Sequence, residues 1–169
     1  MATDALQGHV LAGYAMKTLH AKKVVVVDDA SAYGRGLADE FTKTMQAGSV
    51  RIAAREVTTE KARNYKAILT KIKHIQPDVV MYGGMDVTGG VFAKEAAAFG
   101  VKAKILAGDG VCTGKVAELA GDAVQNIICS EVGLALSRMD KGADFEKKYE
   151  ARFHQPVVNY APFSTTRCT

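Results

Sequence analysis

The sequence predicts an α/β fold, a three-layer sandwich with a mostly parallel central sheet of about five strands. Short, continuously apolar runs alternate with segments whose apolar residues recur at helical spacing. Runs of that kind, such as the four valines at 24–27, leave neither face for water, so helices must cover both sides of the sheet. Glycine-rich turns follow the first, third and fourth runs, where a parallel sheet of this class places its ligand loops.

Each element has its own signal. Leu6, Val10, Leu11, Tyr14, Ala15 and Leu19 form a stripe on a first helix over 5–19, which feeds the strand at 24–27. That strand stops at Asp28-Asp29. A turn-like ASAYG follows, and Leu37, Phe41, Thr44 and Met45 mark the inner side of a helix closed by Gly48. Residues 50–57 read as the second strand. Tyr65, Ile68, Leu69, Ile72 and Ile75 then give a helix that must stop before Pro77, because the residue preceding proline avoids the helical region.

The third strand covers 78–82 and is broken by Gly83-Gly84. Val91, Phe92, Glu95 and Phe99 fit a helix ending at Gly100. The fourth strand is 103–107, GDG forms its turn, a short helix over 116–120 ends at Gly121, and 124–129 is the fifth strand. Residues 130–142 read as a crossing loop, 143–153 as the last helix, and the tail as irregular.

Composition narrows the function classes. The 169 residues carry 22 Lys plus Arg against 18 Asp plus Glu, a net charge of +4, with 48% apolar residues and no Trp, which suits one globular core. No apolar run approaches the roughly 20 residues that cross a bilayer, and MATDALQGHV has neither the basic nor the apolar part of an export signal. The cations are scattered and not interleaved with aromatics, which argues against nucleic acid as a partner. Cys112, Cys129 and Cys168 are separated by 16 and 38 residues, outside metal-ligand spacings. Buried thiols are the default for them, with one bridge and one free thiol as the alternative.

Several motifs fail on inspection. Gly34-Arg35-Gly36 opens like a dinucleotide fingerprint, but Asp39 occupies the third small position, and Arg55 or Glu56 is a weak ribose partner. The segment from Gly108 to Lys115 has the wrong glycine spacing for a phosphate loop, and Val116 stands where a magnesium-binding hydroxyl belongs. Asp28-Asp29 lacks the acceptor carboxylate that a phosphorylated receiver needs at the end of the third strand. His9, His20, His74 and His154 are dispersed and read as surface residues, so no metal or cofactor is expected. Cys112 sits at a strand-to-helix turn without a histidine on a neighbouring loop, and catalysis is not expected.

The stretches VVVVDDASAYGRGLADEF, DVVMYGGMDVTGG and ILAGDGVCTGKVAELAGDAVQNI resemble the periplasmic leucine/isoleucine/valine-binding protein family of ABC importers, which has a type I periplasmic binding fold. The D-x-x-x-Y-G-x-G turn, the P-D-V-V-x-Y-G-G strand end, the G-D-G-V loop and the A-G-D-A run occur in order, from about Asp4 to Phe163. The family has two α/β lobes. The resemblance implies that 1–169 is a single lobe, the second, with a core at about 4–154 and with 155–169 starting a crossing segment and an irregular tail.

The resemblance implies roles for four residues. Tyr33 packs against the bound amino acid, Asp109 binds its α-ammonium, and Tyr160 lines the cleft from the crossing segment. Met85 stands where branched-chain amino-acid binders commonly carry tyrosine, which removes a hydroxyl from the cleft wall and puts ligand identity in question. Asp86 reads as the N-cap of the following helix. The implied partners are a small amino acid, Leu, Ile, Val or related, and an ABC transporter permease.

The implied location is the periplasm, while a chain expressed without a signal would stay in the cytoplasm. The missing first lobe implies a truncated receptor that binds weakly or not at all alone, and an exposed rim around Tyr33, Met85 and Tyr160 that pairs in a homodimer. An α/β nucleotide- or phosphate-binding enzyme domain is the alternative reading, and a purely structural or regulatory interaction module is the third.

Overall fold

A computed structural model describes residues 3–158 and 160–164. The described chain gathers into two compact units, one of Asp4–Ser130 and one of Thr3 with the residues from Glu131 onward. In the first unit, α1 (Asp4–Lys17), β1 (Lys23–Asp28), α2 (Ala32–Ala47), β2 (Arg51–Val57), α3 (Lys66–Ile75), β3 (Val79–Gly83), α4 (Asp86–Ala98), β4 (Lys104–Ala107), α5 (Gly114–Ala120) and β5 (Ile127–Cys129) follow in order. The five strands form one sheet in the order β2-β1-β3-β4-β5, and every neighbouring pair is parallel.

The valine run shows why two helical layers are needed. Val24 and Val26 pack with Leu11, Ala15, Leu37, Phe41 and Met45, while Val25 and Val27 pack with Tyr65, Leu69, Ile72 and Phe92. All four valines have no exposed surface. Helices α1 and α2 therefore cover one face of the sheet, and α3, α4 and α5 cover the other. Each fully buried aliphatic side chain contributes about 1.5–3 kcal/mol relative to exposure, which makes this alternation the main source of stability.

Several expectations need correction. On α1 the buried side is Gln7, Gly8, Leu11, Ala12 and Ala15, while Leu6, Val10 and Tyr14 lie 52%, 52% and 37% exposed. The reason is close packing between helices: a Cβ on Gly8 would lie 2.9 Å from the Cβ of Glu40 and 2.9 Å from the Phe41 nitrogen. The small side of α1, not its most apolar side, therefore meets α2. Gly48 ends α2 with φ −82°, and the left-handed residue is Ser49. A Cβ at Gly48 would meet the sulfur of Met16, the far end of a flexible side chain that can move aside, so neither backbone conformation nor packing demands glycine there.

Helix α4 starts at Asp86, well before Val91, and Gly121–Asn126 forms a 3-10 segment that shortens β5 to three residues. Cys112 and Cys129 form a disulfide with a Cα–Cα distance of 5.9 Å, so buried thiols are not their state. Cys168 lies outside the described residues.

Polar groups fix the two ends of the sheet. Asp78, just before β3, accepts the backbone N–H groups of Lys22 and Lys23 at 2.8 and 2.9 Å, which holds its carboxyl below the usual carboxylate range. At the carboxyl edge Asp28, fully buried, accepts two hydrogen bonds from Arg55 at 3.2 and 3.0 Å, and Arg55 also pairs with Asp39. Burial alone would depress the Arg55 pKa, but those two carboxylates outweigh it and raise it.

The second unit contains a 3-10 turn at Leu136–Arg138, α6 (Gly142–Phe153) and α7 (Ala161–Ser164). Segments read as a plain loop and an irregular tail thus contain short helical turns. Phe145, Tyr149 and Phe153 form a row of tilted rings along α6, with centroids 5.8 and 4.7 Å apart. Among the described residues no helix is long and apolar enough to cross a membrane.

Candidate functional site

The chain leaves β1 for β2 on one side and returns to β3 on the other, so the sheet has a switch point between β1 and β3. Open α/β sheets bind ligands beyond the strand carboxyl ends at such a point. The register sets Asp28 beside Gly83 and Tyr82 beside Ala107, which brings the loops after β1, β3 and β4 to one edge.

The first loop is built around Asp29. Its Oδ1 accepts the Ser31 backbone N–H at 3.0 Å and the Ser31 hydroxyl at 2.5 Å, while Ser31 Oγ accepts the Gly34 N–H at 2.8 Å and caps α2. Asp29 is 1% exposed, and its Oδ2 meets no hydrogen-bond donor among the described residues. The first turn of α2 lies directly against the end of β3. A Cβ at Gly34 would stand 2.6 Å from the Gly83 oxygen, and one at Gly83 would strike the Gly34 oxygen. Glycine is required at both positions by this approach of two backbones.

Tyr33 and Asp109 come together. The Tyr33 hydroxyl donates to Asp109 Oδ1 at 2.8 Å and accepts the Gly110 N–H at 3.2 Å. Asp109 is 5% exposed, which makes it a nearly buried carboxylate at the edge where a ligand would lie. Met85 belongs to the same edge: its sulfur lies against Gly110, 2.9 Å from where a Cβ would be, and the residue is 49% exposed.

Met85 and not Asp86 is the N-cap of α4. The Asp86 N–H donates to Gly110 O at 2.9 Å, and Asp86 Oδ2 accepts the Thr113 hydroxyl at 2.6 Å, so Asp86 ties the β3 loop to the β4 loop. Tyr160 belongs to the second unit, in a turn before α7, where it is 42% exposed.

A buried aromatic group supports this edge from below. Phe92 stacks on Tyr82 at 5.0 Å and meets Tyr65 edge-on at 5.2 Å. Burial pushes the Tyr65 and Tyr82 hydroxyls up, keeping both neutral, and Tyr65 donates to Thr88 O at 3.2 Å in the first turn of α4. Sequence reading missed Gln7. On a helix it looks like one polar residue among apolar ones, yet it is 3% exposed and its Oε1 accepts the Asp109 N–H at 3.0 Å and the Ser130 hydroxyl at 2.6 Å. The only signal was a polar residue on the same helix side as Leu11.

With the nearly buried Asp109 carboxylate bonded to Tyr33, and the buried Asp29 carboxylate on the neighbouring loop, the edge can hold a cationic or hydrogen-bonding group of a small molecule. Among the described residues no cluster of three His, Cys, Asp or Glu could hold a metal ion. The periplasmic binding protein family model matches residues 1–163. The chain belongs to that family.

Its relatives include the Leu/Ile/Val-binding protein BraC3 of Rhizobium johnstonii, 32% identical over 140 residues, covering 83% of this chain and 38% of that protein. An amino acid binding protein of Pseudomonas aeruginosa is 33% identical over 118 residues, covering 70% of this chain and 32% of that one. Among solved structures, LivJ of Streptococcus pneumoniae, a branched-chain amino acid transporter substrate binding protein in complex with isoleucine, has 26% identity and a TM-score of 0.84, covering 94% of this chain and 46% of that one. The chain therefore spans less than half the length of each of these proteins.

Proposed function

We propose that this chain is one ligand-binding lobe of an ABC transporter's solute receptor, and that its ligand is leucine, isoleucine, valine or a related amino acid. The observation that carries the reading is the nearly buried Asp109 carboxylate, held by Tyr33 at the carboxyl edge of the parallel sheet. In this reading Asp109 takes the α-ammonium, and Tyr33 and Met85 bound the ligand. The relatives named for Leu/Ile/Val and the isoleucine complex of LivJ support the ligand class.

The partner that follows is the transporter's permease, and the place of work is the periplasm, in keeping with a disulfide between Cys112 and Cys129. Tested by itself, the 169-residue polypeptide should bind weakly, with Kd above about 1 μM, because the receptors named above use chains more than twice as long. A titration of labelled protein with leucine, isoleucine and valine should shift amide resonances in the loops after β1, β3 and β4. Shifts confined to other surfaces, or none with any of the three, would refute the reading.

The exposed Met85 and Val87, 49% and 53% accessible, also favour self-association through this rim in a homodimer. Sedimentation velocity should then give a mass that rises with concentration; a constant monomer mass would rule the dimer out.

A further inference from the structure

We propose that Gln7 and the Cys112–Cys129 bridge are positioning groups for the Asp109 carboxylate, fixing the loop that carries it to α1 and to the end of β5. This rests on the reading of Asp109 as the ammonium-binding group. The loop between β4 and α5 contains Gly108 and Gly110, so it gains little order from its own sequence. It is held from outside.

Gln7 reaches it from a position 102 residues away and accepts the Asp109 N–H, while the same oxygen takes the hydroxyl of Ser130, 123 residues away. A buried amide on a helix side that also presents Leu11 and Ala15 is costly unless its hydrogen bonds are made, and here one oxygen makes two.

The second anchor is covalent. Cys112 lies three residues beyond Asp109 and is bonded to Cys129, the residue before Ser130. The segment from Asp109 to Cys112 is therefore joined to the end of β5 twice, once through Gln7 and once through sulfur. Gln7 fixes the peptide plane of Asp109, and Tyr33 fixes its side chain. With both settled, the carboxylate is presented without an ordering cost when a ligand arrives.

The test uses the full chain as wild type, Gln7→Leu, Gln7→Glu and the double variant Cys112→Ser with Cys129→Ser. Leucine removes the accepting oxygen at nearly constant volume, and glutamate keeps it. Amide hydrogen exchange at Asp109 should accelerate about ten- to a hundredfold in Gln7→Leu and recover in Gln7→Glu, with the amides of β1 and β3 unchanged. The double serine variant should accelerate exchange at the same loop amides.

In parallel, leucine binding should weaken about tenfold in Gln7→Leu, whereas 4-methylpentanoate, which lacks the ammonium, should be indifferent to the change. Unaltered exchange at Asp109, or faster exchange throughout the sheet, would overturn the proposal. Should Gln7→Leu not fold, the serine variant reads the same amides. A wild-type protein that ignores leucine would defeat the amino-acid reading alone, and the exchange comparison would still decide for or against Gln7.

Discussion

Asp109→Asn should lower affinity for an amino acid about ten- to a hundredfold while leaving the fold unchanged. Asparagine keeps the oxygen that accepts the Tyr33 hydroxyl at 2.8 Å, and the backbone bond to Gln7 does not involve the side chain. What disappears is the negative charge, and with it the charge-assisted hydrogen bond to an ammonium, worth about 1.5–3 kcal/mol in such a nearly dry setting. Calorimetry of both proteins against the same amino acid, with urea melts alongside, checks it. Equal affinities would mean that Asp109 is a loop brace for Tyr33 and nothing more.

Gly34→Ala should destabilise the protein by about 2–3 kcal/mol. The added methyl would meet Asp29 Oδ1 and stand 2.6 Å from the Gly83 oxygen, and neither neighbour is the free end of a flexible side chain. Helix α2 would have to lift from the end of β3, and Asp29 would lose its hold on Ser31. Gly13→Ala is the matched control: its methyl would meet nothing within 4 Å, so the gain in helix propensity should stabilise by about 0.5–1 kcal/mol. Urea midpoints at constant slope measure both. A Gly34→Ala midpoint equal to wild type would contradict the close approach of α2 and β3.

Much of this architecture could be read from residue order. The valine run announced a strand buried on both faces, and the glycines after β1, β3 and β4 marked the turns at the carboxyl edge of the sheet, because both signals are local. The side of α1 that faces inward was only partly legible: Leu11 and Ala15 were read as inward, but Gly8 allows α2 to approach within contact of its backbone, and that depends on Glu40 and Phe41 far along the chain.

Two other features were hidden for the same reason. The spacing of Cys112 and Cys129 carries no signature, and their meeting depends on β4 and β5 lying side by side in register. Gln7 gave almost nothing away, since both of its partners come from the other end of the unit. Tyr33 and Asp109 could be named from family resemblance, but their hydrogen bond to one another follows only from the fold.

A structure of the protein crystallised with leucine would decide whether this edge is the amino-acid site. The expected result is the α-ammonium within hydrogen-bond distance of the Asp109 carboxylate, with the side chain against Tyr33 and Met85. Leucine bound elsewhere, or an ammonium that faces away from Asp109, would contradict it.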